Sequence, residues 1–283
     1  MRRMKLSGVV TTVDALRERV AAWRREDARI GLVPTMGALH EGHLALVRAT
    51  GKRCNKTIVS IFVNPAQFAP HEDFDRYPRT LEADCEKLAD SADLVFAPGT
   101  AEMYPDGFAT KVEVAGPALG LETDFRPHFF AGVATVVAKL LLAAMPDLAM
   151  FGEKDYQQLL VIRQLARDLA LPVEIAGAAI VREEDGLALS SRNAYLDPGE
   201  RAVAGRLNRV LKDAVARLRS GEASHAVERT AATALLGAGF DSVDYVAVRD
   251  AASLAPVLQS TGANRVLAAA RIGRTRLIDN ITA

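Results

Sequence analysis

Residues 30–47 read IGLVPTMGALHEGHLALV and carry the strongest indication of the fold. The apolar run 30–33 has the length of a buried strand, and Leu44 and Val47 stand three residues apart, as on one face of a helix. Two glycines and two histidines lie between the run and the helical spacing. We therefore predict a strand, a sharp turn and a helix, which is one unit of an α/β fold.

The same alternation of strand-like and helix-like segments continues to about residue 180. Apolar runs of strand length stand at residues 57–63, 93–97, 147–151 and 173–175. Helical spacing occupies residues 81–88, 133–141 and 156–169, and Pro78 suits the first turn of the first of these. Strands that alternate with helices are typical of a parallel sheet covered on both faces. We predict an α/β, Rossmann-like domain at residues 1–184.

The pattern changes in the remainder of the chain. Residues 197–200 read DPGE, with an N-cap acid, a proline at the first helical position and the glutamate of a capping box. Residues 203–218 continue with one helical stripe, and Gly221 is placed to end it. Three later runs, at 243–248, 265–270 and 276–278, predict a small antiparallel sheet. We place a smaller α+β domain at residues 185–283.

The composition is that of an ordinary globular protein without overall charge. Apolar residues make up 49%, and 35 Lys and Arg balance 35 Asp and Glu, so no global field would attract nucleic acid or an anionic membrane. The basic residues 1–5 precede no apolar signal segment, and no apolar run approaches the roughly 18 residues of a membrane span. With Cys54 and Cys85 interpreted as reduced thiols, we expect a cytoplasmic protein with neither nucleic-acid nor membrane partners.

The turn after the first strand places His40 and His43 three residues apart, where they share a face of the helix. Ligands of open α/β sheets bind at the carboxyl ends of strands, and the N-terminus of the next helix offers unpaired N–H groups to a phosphate. The pattern therefore favours a phosphate site. A pair of surface histidines and a metal site are the alternatives, although the metal site lacks a third clear ligand nearby.

Residues 62–68 read FVNPAQF and follow the second apolar strand. Asn64 and Gln67 carry amides that both donate and accept hydrogen bonds, which suits a substrate with hydroxyl and carboxylate groups. An ordinary Asn-Pro turn would explain the same residues equally well.

Two further clusters carry groups suited to phosphate. Residues 151–158 read FGEKDYQQ, where Lys154 could meet a phosphate and Gln158 lies one turn beyond it, but acids here are also common in the first turn of any helix. Residues 189–193 read LSSRN, whose hydroxyls and guanidinium could grip phosphate oxygens or form an ordinary loop. Neither a P-loop motif nor a G-x-G-x-x-G after the first strand is present, so another phosphate-binding scaffold is required.

Five motifs together resemble those of the pantothenate synthetase family and stand in its order. They are PTMGALHEGH at 34–43, IFVNPAQF at 61–68, RYPRTLEADCEKL at 76–88, FGEKDYQQL at 151–159 and DGLALSSRN at 185–193. The segment HEGH is also similar to the H-x-G-H signature of the nucleotidylyltransferase superfamily. The resemblance runs through nearly the whole chain.

The resemblance implies an ATP-dependent ligase of pantothenate and coenzyme A biosynthesis. The expected reaction joins (R)-pantoate to β-alanine through a pantoyl-adenylate and releases AMP and pyrophosphate, with Mg²⁺ accompanying ATP. The C-terminal domain would act as a lid that shelters the adenylate from water. The family resemblance also implies a homodimer.

The resemblance assigns roles to residues by position. Catalysis would use His43 as general acid, with His40, Lys154 and Arg192. The ATP site would consist of Met36, Gly37, Ala38, Leu39, His40, Glu41, Gly42, His43, Gly152, Glu153, Lys154, Asp155, Val181, Leu189, Ser190, Ser191 and Arg192. Pantoate would be bound by Gln67, Gln158 and Asn64, with Gln67 also near β-alanine, and Asp84 would be an acidic contact for Mg²⁺.

One segment departs from the family pattern. Members often read G-H-F-x-G-V where residues 128–133 read HFFAGV, so the histidine, His128, is moved by one position and Ala131 stands where a polar residue is frequent. We therefore assign no substrate contact to this loop.

Three alternatives compete with the ligase. A related adenylyltransferase would leave AMP on its product, whereas a ligase releases free AMP only when an amine is supplied. A nucleotide sensor would bind ATP without turnover. A tRNA-binding module fits poorly with a net charge of zero and the absence of a basic stripe.

Overall fold

The computed structural model describes residues 6, 8–69, 72, 74–259 and 262–283, so the basic residues 1–5 lie outside the described part. The chain forms two compact units. The first extends to Glu153 and includes Val161–Ala179, and the second comprises Lys154–Leu160 and Ile180–Ala283. The predicted division after residue 184 stays a prediction. Among the described residues, no helix is both long enough and apolar enough to traverse a bilayer.

In the described part of the first unit, six parallel strands form one sheet. They are β1 (Val9–Val10), β2 (Ile30–Thr35), β3 (Lys56–Ile61), β4 (Leu94–Phe96), β5 (Leu148–Gly152) and β6 (Glu174–Ala178). The spatial order β1-β4-β3-β2-β5-β6 reverses direction between β2 and β5. In sheets of this kind ligands bind beyond the carboxyl ends of the strands at such a reversal.

The predicted Rossmann-like sheet is confirmed. The five predicted strands correspond to β2 through β6, with ends shifted by at most three residues. The two-residue strand β1 was not predicted, because two residues are too short to show a periodicity.

Helices connect the strands of the first unit. They are α1 (Val13–Arg25), α2 (Glu41–Gly51), α3 (Leu81–Leu88), α4 (Thr100–Met103), α5 (Glu122–Phe125), α6 (Phe129–Ala144) and α7 (Tyr156–Asp168). The four predicted helical segments are found in α2, α3, α6 and α7. The placement of Pro78 in the first turn of α3 is wrong, because Thr80 takes the N-cap position and its carbonyl accepts the first helical hydrogen bond, from Asp84 N–H.

Helix α2 lies directly against strand β2. A Cβ atom added to Gly31 would stand 2.1 Å from Cγ2 of Thr50 in α2, so only glycine permits this approach. Both neighbouring strand residues, Ile30 and Leu32, are fully buried. The close packing sets where α2 begins, and hence where the two histidines lie relative to the end of β2.

The second unit is an α+β assembly, as predicted. Its helices are α8 (Pro198–Ala204), α9 (Arg206–Arg219) and α10 (Ser224–Gly237), and its strands are β7 (Ser242–Asp250), β8 (Asn264–Ile272) and β9 (Thr275–Thr282). The strands form an antiparallel sheet in the order β7-β8-β9. One face of this sheet packs on α9 and α10 through a core that includes Leu211, Leu235 and Val266.

The start of α8 was predicted correctly. Asp197 and Glu200 form the reciprocal capping box, with N–H to carboxylate distances of 2.8 and 2.9 Å. The single helix predicted over residues 203–218 is instead carried by two consecutive helices, α8 and α9, which meet at Gly205. The Asp185 carboxylate lies so close to Gly205 that a Cβ there would stand 2.2 Å from Asp185 Oδ2.

Candidate active site

The turn after β2 contains two successive residues in the left-handed region. Gly37 has φ of 85° and Ala38 has φ of 49°. The left-handed conformation costs a non-glycine residue roughly 1–2 kcal/mol, so Ala38 needs support from its neighbours. Thr35 provides part of it, because its hydroxyl accepts the Gly37 N–H at 3.2 Å and donates to Ser60 O at 2.7 Å.

Asp84 of α3 provides the rest of the support. Its fully buried carboxylate accepts the N–H groups of Ala38 at 2.9 Å and Leu39 at 2.8 Å, together with the Thr80 hydroxyl at 3.1 Å. Lys87, one turn along α3, donates to Leu39 O at 2.7 Å. Side chains of α3 therefore bind both N–H groups and a carbonyl group of the turn.

These contacts bear on the Mg²⁺ role predicted for Asp84, which stays a prediction. Both carboxylate oxygens already accept hydrogen bonds from the protein. Within the described residues, no group of three or more His, Cys, Asp or Glu side chains is arranged to hold a metal ion.

His40 and His43 cap α2 with their rings. His40 Nδ1 accepts the Gly42 N–H at 3.1 Å, and His43 Nδ1 accepts the His40 N–H at 3.3 Å. The result is a capping box built from imidazoles, with ring centroids 4.1 Å apart. A nitrogen that accepts a hydrogen bond carries no proton, so each neutral ring carries its hydrogen on Nε2. Both rings are thus set as Nε2 donors at the positive end of α2.

Asn64 and Gln67 form one hydrogen-bonded pair after β3. Asn64 Nδ2 donates to Gln67 Oε1 at 3.1 Å and to Gly132 O at 3.2 Å, and Gln67 Nε2 lies 3.0 Å from the sulfur of Met36. Asn64 is buried and its Oδ1 accepts from Ala66 N–H at 3.2 Å. Asn64 therefore orients the Gln67 amide, which in turn reaches the turn after β2.

Two residues outside the predicted site fix this pair. The Tyr104 hydroxyl donates to Asn64 Oδ1 at 2.7 Å, and burial raises the pKa of Tyr104 to about 12. Arg126 donates to Gln67 O at 3.2 Å and pairs with both oxygens of Glu72 at 2.6 and 2.7 Å. Their separations of 40 and 59 residues from Asn64 and Gln67 leave no local signal that would have indicated these contacts.

The atypical segment 128–133 begins helix α6, with His128 at its N-cap position. Gly132 is the residue that meets the loop after β3, since a Cβ there would lie 2.2 Å from Ala66 O. Ala131 accepts the Thr135 hydroxyl at 2.7 Å through its backbone carbonyl, so this hydrogen bond does not depend on the side chain at position 131. Among the described residues, His128 Nε2 is buried and has no hydrogen-bond partner.

The motif FGEKD is divided between the two units. Gly152 ends β5, next to β2 in the sheet, and Glu153 follows it in the first unit. Lys154, Asp155 and Gln158 belong to the second unit. Lys154 is largely buried, its Nζ lies 3.9 Å from Asp155 Oδ2, and its backbone carbonyl accepts from Asn280 Nδ2 at 2.9 Å.

Val181 and the segment 189–192 lie together in the second unit. Leu189 N–H donates to Val181 O at 3.0 Å, and Arg182 and Ala188 form an antiparallel bridge. Ser190 caps a short 3₁₀ helix, Ser191–Tyr195, by accepting the Arg192 N–H at 3.3 Å. The predicted residues Val181, Leu189, Ser190, Ser191 and Arg192 are therefore parts of one local structure.

Arg201 of α8 forms ion pairs with two acids of the segment between Val181 and Leu189. Arg201 pairs with Glu183 at 2.6 Å and with Asp185 at 2.5 Å. The Arg201 guanidinium beside Asp185 lowers the pKa of that carboxyl from its ordinary value. Because these ion pairs are partly exposed, they contribute little to the free energy of unfolding, and we infer that they mainly fix the conformation of the loop.

The sequence model of the pantoate–β-alanine ligase family matches residues 8–282. The chain belongs to that family. Pantothenate synthetase from Mesorhizobium japonicum is 58% identical over 274 residues, which are 96% of each chain. That of Paramagnetospirillum magneticum is 56% identical over the same share of both chains. The predicted membership of this family is confirmed.

Solved structures of the family share the fold. Pantothenate synthetase from Thermus thermophilus is 48% identical, with a TM-score of 0.90 over 96% of this chain and 98% of that one. Pantoate–β-alanine ligase from Francisella tularensis, complexed with β,γ-ATP and β-alanine, is 32% identical, with a TM-score of 0.81 over 96% of both chains. The chain is accordingly an ATP-dependent ligase of pantothenate biosynthesis.

Proposed function

We propose that the chain condenses (R)-pantoate with β-alanine through a pantoyl-adenylate, and that the histidine-capped turn after β2 is its phosphate-binding element. The observation that carries this proposal is the pair of reciprocal bonds at the start of α2, which set His40 and His43 as Nε2 donors. A helix N-terminus with such donors suits an anion. Residues 36–43 as a whole form the ATP-binding turn.

In the first half-reaction, the pantoate carboxylate attacks the α-phosphorus of ATP, and negative charge accumulates on the departing pyrophosphate. The protein contributes positioning and electrostatic stabilisation rather than covalent chemistry. His43, to which the family resemblance assigns the general-acid role, stabilises the departing pyrophosphate through a hydrogen bond from Nε2–H, and His40 donates beside it. Lys154 and Arg192 add positive charge, as the family resemblance implies.

The remaining nucleotide contacts are assigned to Gly152, Glu153, Asp155, Val181, Leu189, Ser190 and Ser191. Support for the last four comes from their joining in one local structure through the Leu189–Val181 hydrogen bond. Mg²⁺ is proposed to arrive with ATP as the counterion of its phosphates. This arrangement asks for no ligand from Asp84, whose two carboxylate oxygens already accept N–H groups of the turn.

Pantoate is assigned to Gln67 and Gln158, and Gln67 also lies at the β-alanine position. Asn64 serves the pantoate site by orienting Gln67, because its own amide is engaged with Gln67, Gly132, Ala66 and Tyr104. In the second half-reaction the unprotonated amine of β-alanine attacks the adenylate carbonyl, and AMP leaves.

We propose further that the enzyme is a cytoplasmic homodimer. Light scattering on the purified protein tests the oligomer, with a molar mass of twice 30.4 kDa as the expected result and 30.4 kDa as the opposing one. The lid role of residues 185–283 is tested by small-angle X-ray scattering, where an unchanged profile on adding ATP and pantoate would count against it.

The decisive assay measures AMP released from ATP, Mg²⁺ and pantoate, with and without β-alanine. We expect sustained AMP formation only when both substrates are present, and a loss of about 10²–10³-fold in His43→Ala. Lys52→Ala is the matched control, because Lys52 is exposed at the other end of the same helix and no substrate contact is assigned to it. AMP found on the product would favour the adenylyltransferase, and ATP binding without turnover would favour the sensor.

A further inference from the structure

The small sheet of the second unit buries polar side chains that the reaction does not use directly. Asn208, Arg265, Asp279 and Asn280 are each at most 8% exposed. Burying such groups is costly unless they are hydrogen-bonded, and an apolar residue would serve a purely structural core more simply. Their contacts therefore indicate what they hold in place.

The polar residues lie on both faces of the sheet. Strand residues alternate between faces, so Val266 and Ile281 point towards the helices, while Arg265 and Asn280 occupy the opposite face. Asp279 shares the helix face, where Asn208 of α9 donates to it at 3.3 Å. The adjacent residues Asp279 and Asn280 of β9 therefore face opposite sides of the sheet and can contact different segments.

On the face opposite the helices, the sheet holds residues 154–156. Asn280 Nδ2 donates to Lys154 O at 2.9 Å, and Arg265 Nη1 donates to Asn280 Oδ1 at 2.6 Å. The Arg265 guanidinium also stacks 3.6 Å from the ring centre of Tyr156. The Tyr156 hydroxyl donates to Ala251 O at 2.7 Å, just after β7. The backbone on both sides of Asp155 is therefore anchored to the sheet.

On the helix face, Asp279 holds the segment that follows Val181 through Arg182. Its two oxygens pair with Arg182 at 2.7 and 2.9 Å, and Arg182 also donates to Gly186 O at 3.0 Å. Bidentate arginine–carboxylate pairs fix orientation as well as distance. Asp279 and Asn280, which are adjacent in β9, therefore anchor the two segments to which nucleotide contacts are assigned, one next to Val181 and the other at Lys154.

We propose that Asn280, supported by Arg265, is a positioning residue that sets the backbone of Lys154 for catalysis. The proposal rests on the role assigned to Lys154 in the preceding section. A lysine is a point charge on a flexible stem, so the location of its backbone determines where its ammonium group can reach. The Asn280 side chain contacts the Lys154 carbonyl, and through this contact it acts on the reaction.

The test compares Asn280→Asp, which is isosteric, with the wild-type enzyme. The aspartate keeps an oxygen to accept from Arg265 but loses the Nδ2 donor to Lys154 O. We expect kcat for AMP formation to fall by about 10²-fold, the loss typical of a displacement on the order of 1 Å, with a smaller change in the KM for pantoate. If this variant fails to fold, Arg265→Gln tests the same link and is expected to change kcat in the same direction.

A double-mutant cycle separates positioning from general damage to the sheet. In a Lys154→Ala background, Asn280→Asp is expected to cause no further loss of kcat, because both substitutions remove the same contribution. Val266→Ala is the control, since Val266 lies on the same sheet but faces the helices. It is expected to lower the Tm and leave kcat unchanged. Additive losses of kcat in the cycle, or an equal loss in Val266→Ala, would overturn the proposal.

Calorimetric titration with ATP distinguishes a failure of this proposal from a failure of the proposed function. Asn280→Asp is expected to weaken ATP binding in the wild-type background and to leave it unchanged in the Lys154→Ala background. Absence of AMP release by the wild-type chain would count against the function, whereas equal ATP affinities of wild type and Asn280→Asp would count against the positioning role.

Discussion

Asp84 has no exposed surface, and its carboxylate lies against the turn that carries the two histidines. Hydrogen bonds to charged groups contribute about 1.5–3 kcal/mol each, enough to offset the strain of Ala38 in the left-handed region. The residue was assigned a metal contact from the family resemblance, but its contacts within the protein give it a direct role in shaping the turn.

Asp84→Asn is expected to lower the free energy of unfolding by about 2 kcal/mol and to reduce kcat, because the amide presents an N–H group to a site that holds two N–H donors. Urea denaturation and the AMP assay measure the two effects. Thr80→Val removes a single donor to the same carboxylate and serves as the milder comparison. Recovery of Asp84→Asn activity at raised Mg²⁺ would instead support the metal contact.

Tyr104 is a second single residue that acts on the site through another side chain. Its hydroxyl remains a donor to Asn64 far above neutral pH, since burial raises its pKa to about 12. We expect Tyr104→Phe to raise the KM for pantoate with little change in kcat, because Asn64 loses a partner and Gln67 its fixed orientation. An unchanged KM would argue against the orienting role of Asn64.

The raised pKa of Tyr104 also predicts how stability depends on pH. Below the unfolded value of about 10 the hydroxyl is protonated in both states, so its contribution is constant. Between that value and about 12 the unfolded chain binds fewer protons than the folded one, so stability falls as pH rises. Urea titrations between pH 8 and 11 are expected to show a smaller loss at the alkaline end in Tyr104→Phe than in the wild type.

At the scale of elements, helix α6 meets the loop after β3 at Gly132. The Gly132 carbonyl accepts from Asn64 Nδ2 at 3.2 Å, and its missing side chain leaves room for Ala66 O. The helix backbone at Gly132 therefore supports Asn64, and this contact does not depend on the side chains of His128 or Ala131.

Gly132→Ala is expected to force α6 and the loop apart, because its Cβ would stand 2.2 Å from a backbone oxygen. Overpacking of this kind costs about 1–3 kcal/mol of stability, and we expect a raised KM for pantoate with it. Gly99→Ala is the matched control, because a Cβ on Gly99 meets nothing within 4 Å. Similar losses in both variants would indicate a general effect of glycine replacement.

At the scale of the whole molecule, the balance of 35 basic and 35 acidic residues removes any long-range attraction to polyanions. Binding of ATP must then depend on local groups such as helix N-termini and single cations. We expect no gel-shift of tRNA by micromolar protein even at low salt, where counterion release favours binding most. A salt-sensitive shift would revive the tRNA-binding alternative.

Strands β2 through β6, helices α2, α3, α6 and α7 and the capping box of α8 were accessible from sequence, because periodicity and capping are properties of neighbouring residues. The clusters at 34–43, 62–68 and 151–158 were recognised for a related reason, since each stands where a strand ends, whereas the role of each residue came from the family resemblance. Helices α1, α4, α5 and α10 were not predicted, although the apolar spacing of Leu16, Val20 and Trp23 in α1 was a usable signal.

The residues that orient the site could not be read from local patterns. Asp84 contacts Ala38 across 46 positions, and Asn280 contacts Lys154 across 126. Which distant segments meet depends on strand order and on how helices pack on the sheets, and a buried carboxylate or amide has no sequence signature of its partner. Short-range periodicity therefore specifies the elements and marks the reactive groups, whereas long-range hydrogen bonds, formed only after the chain has folded, set the positions of those groups.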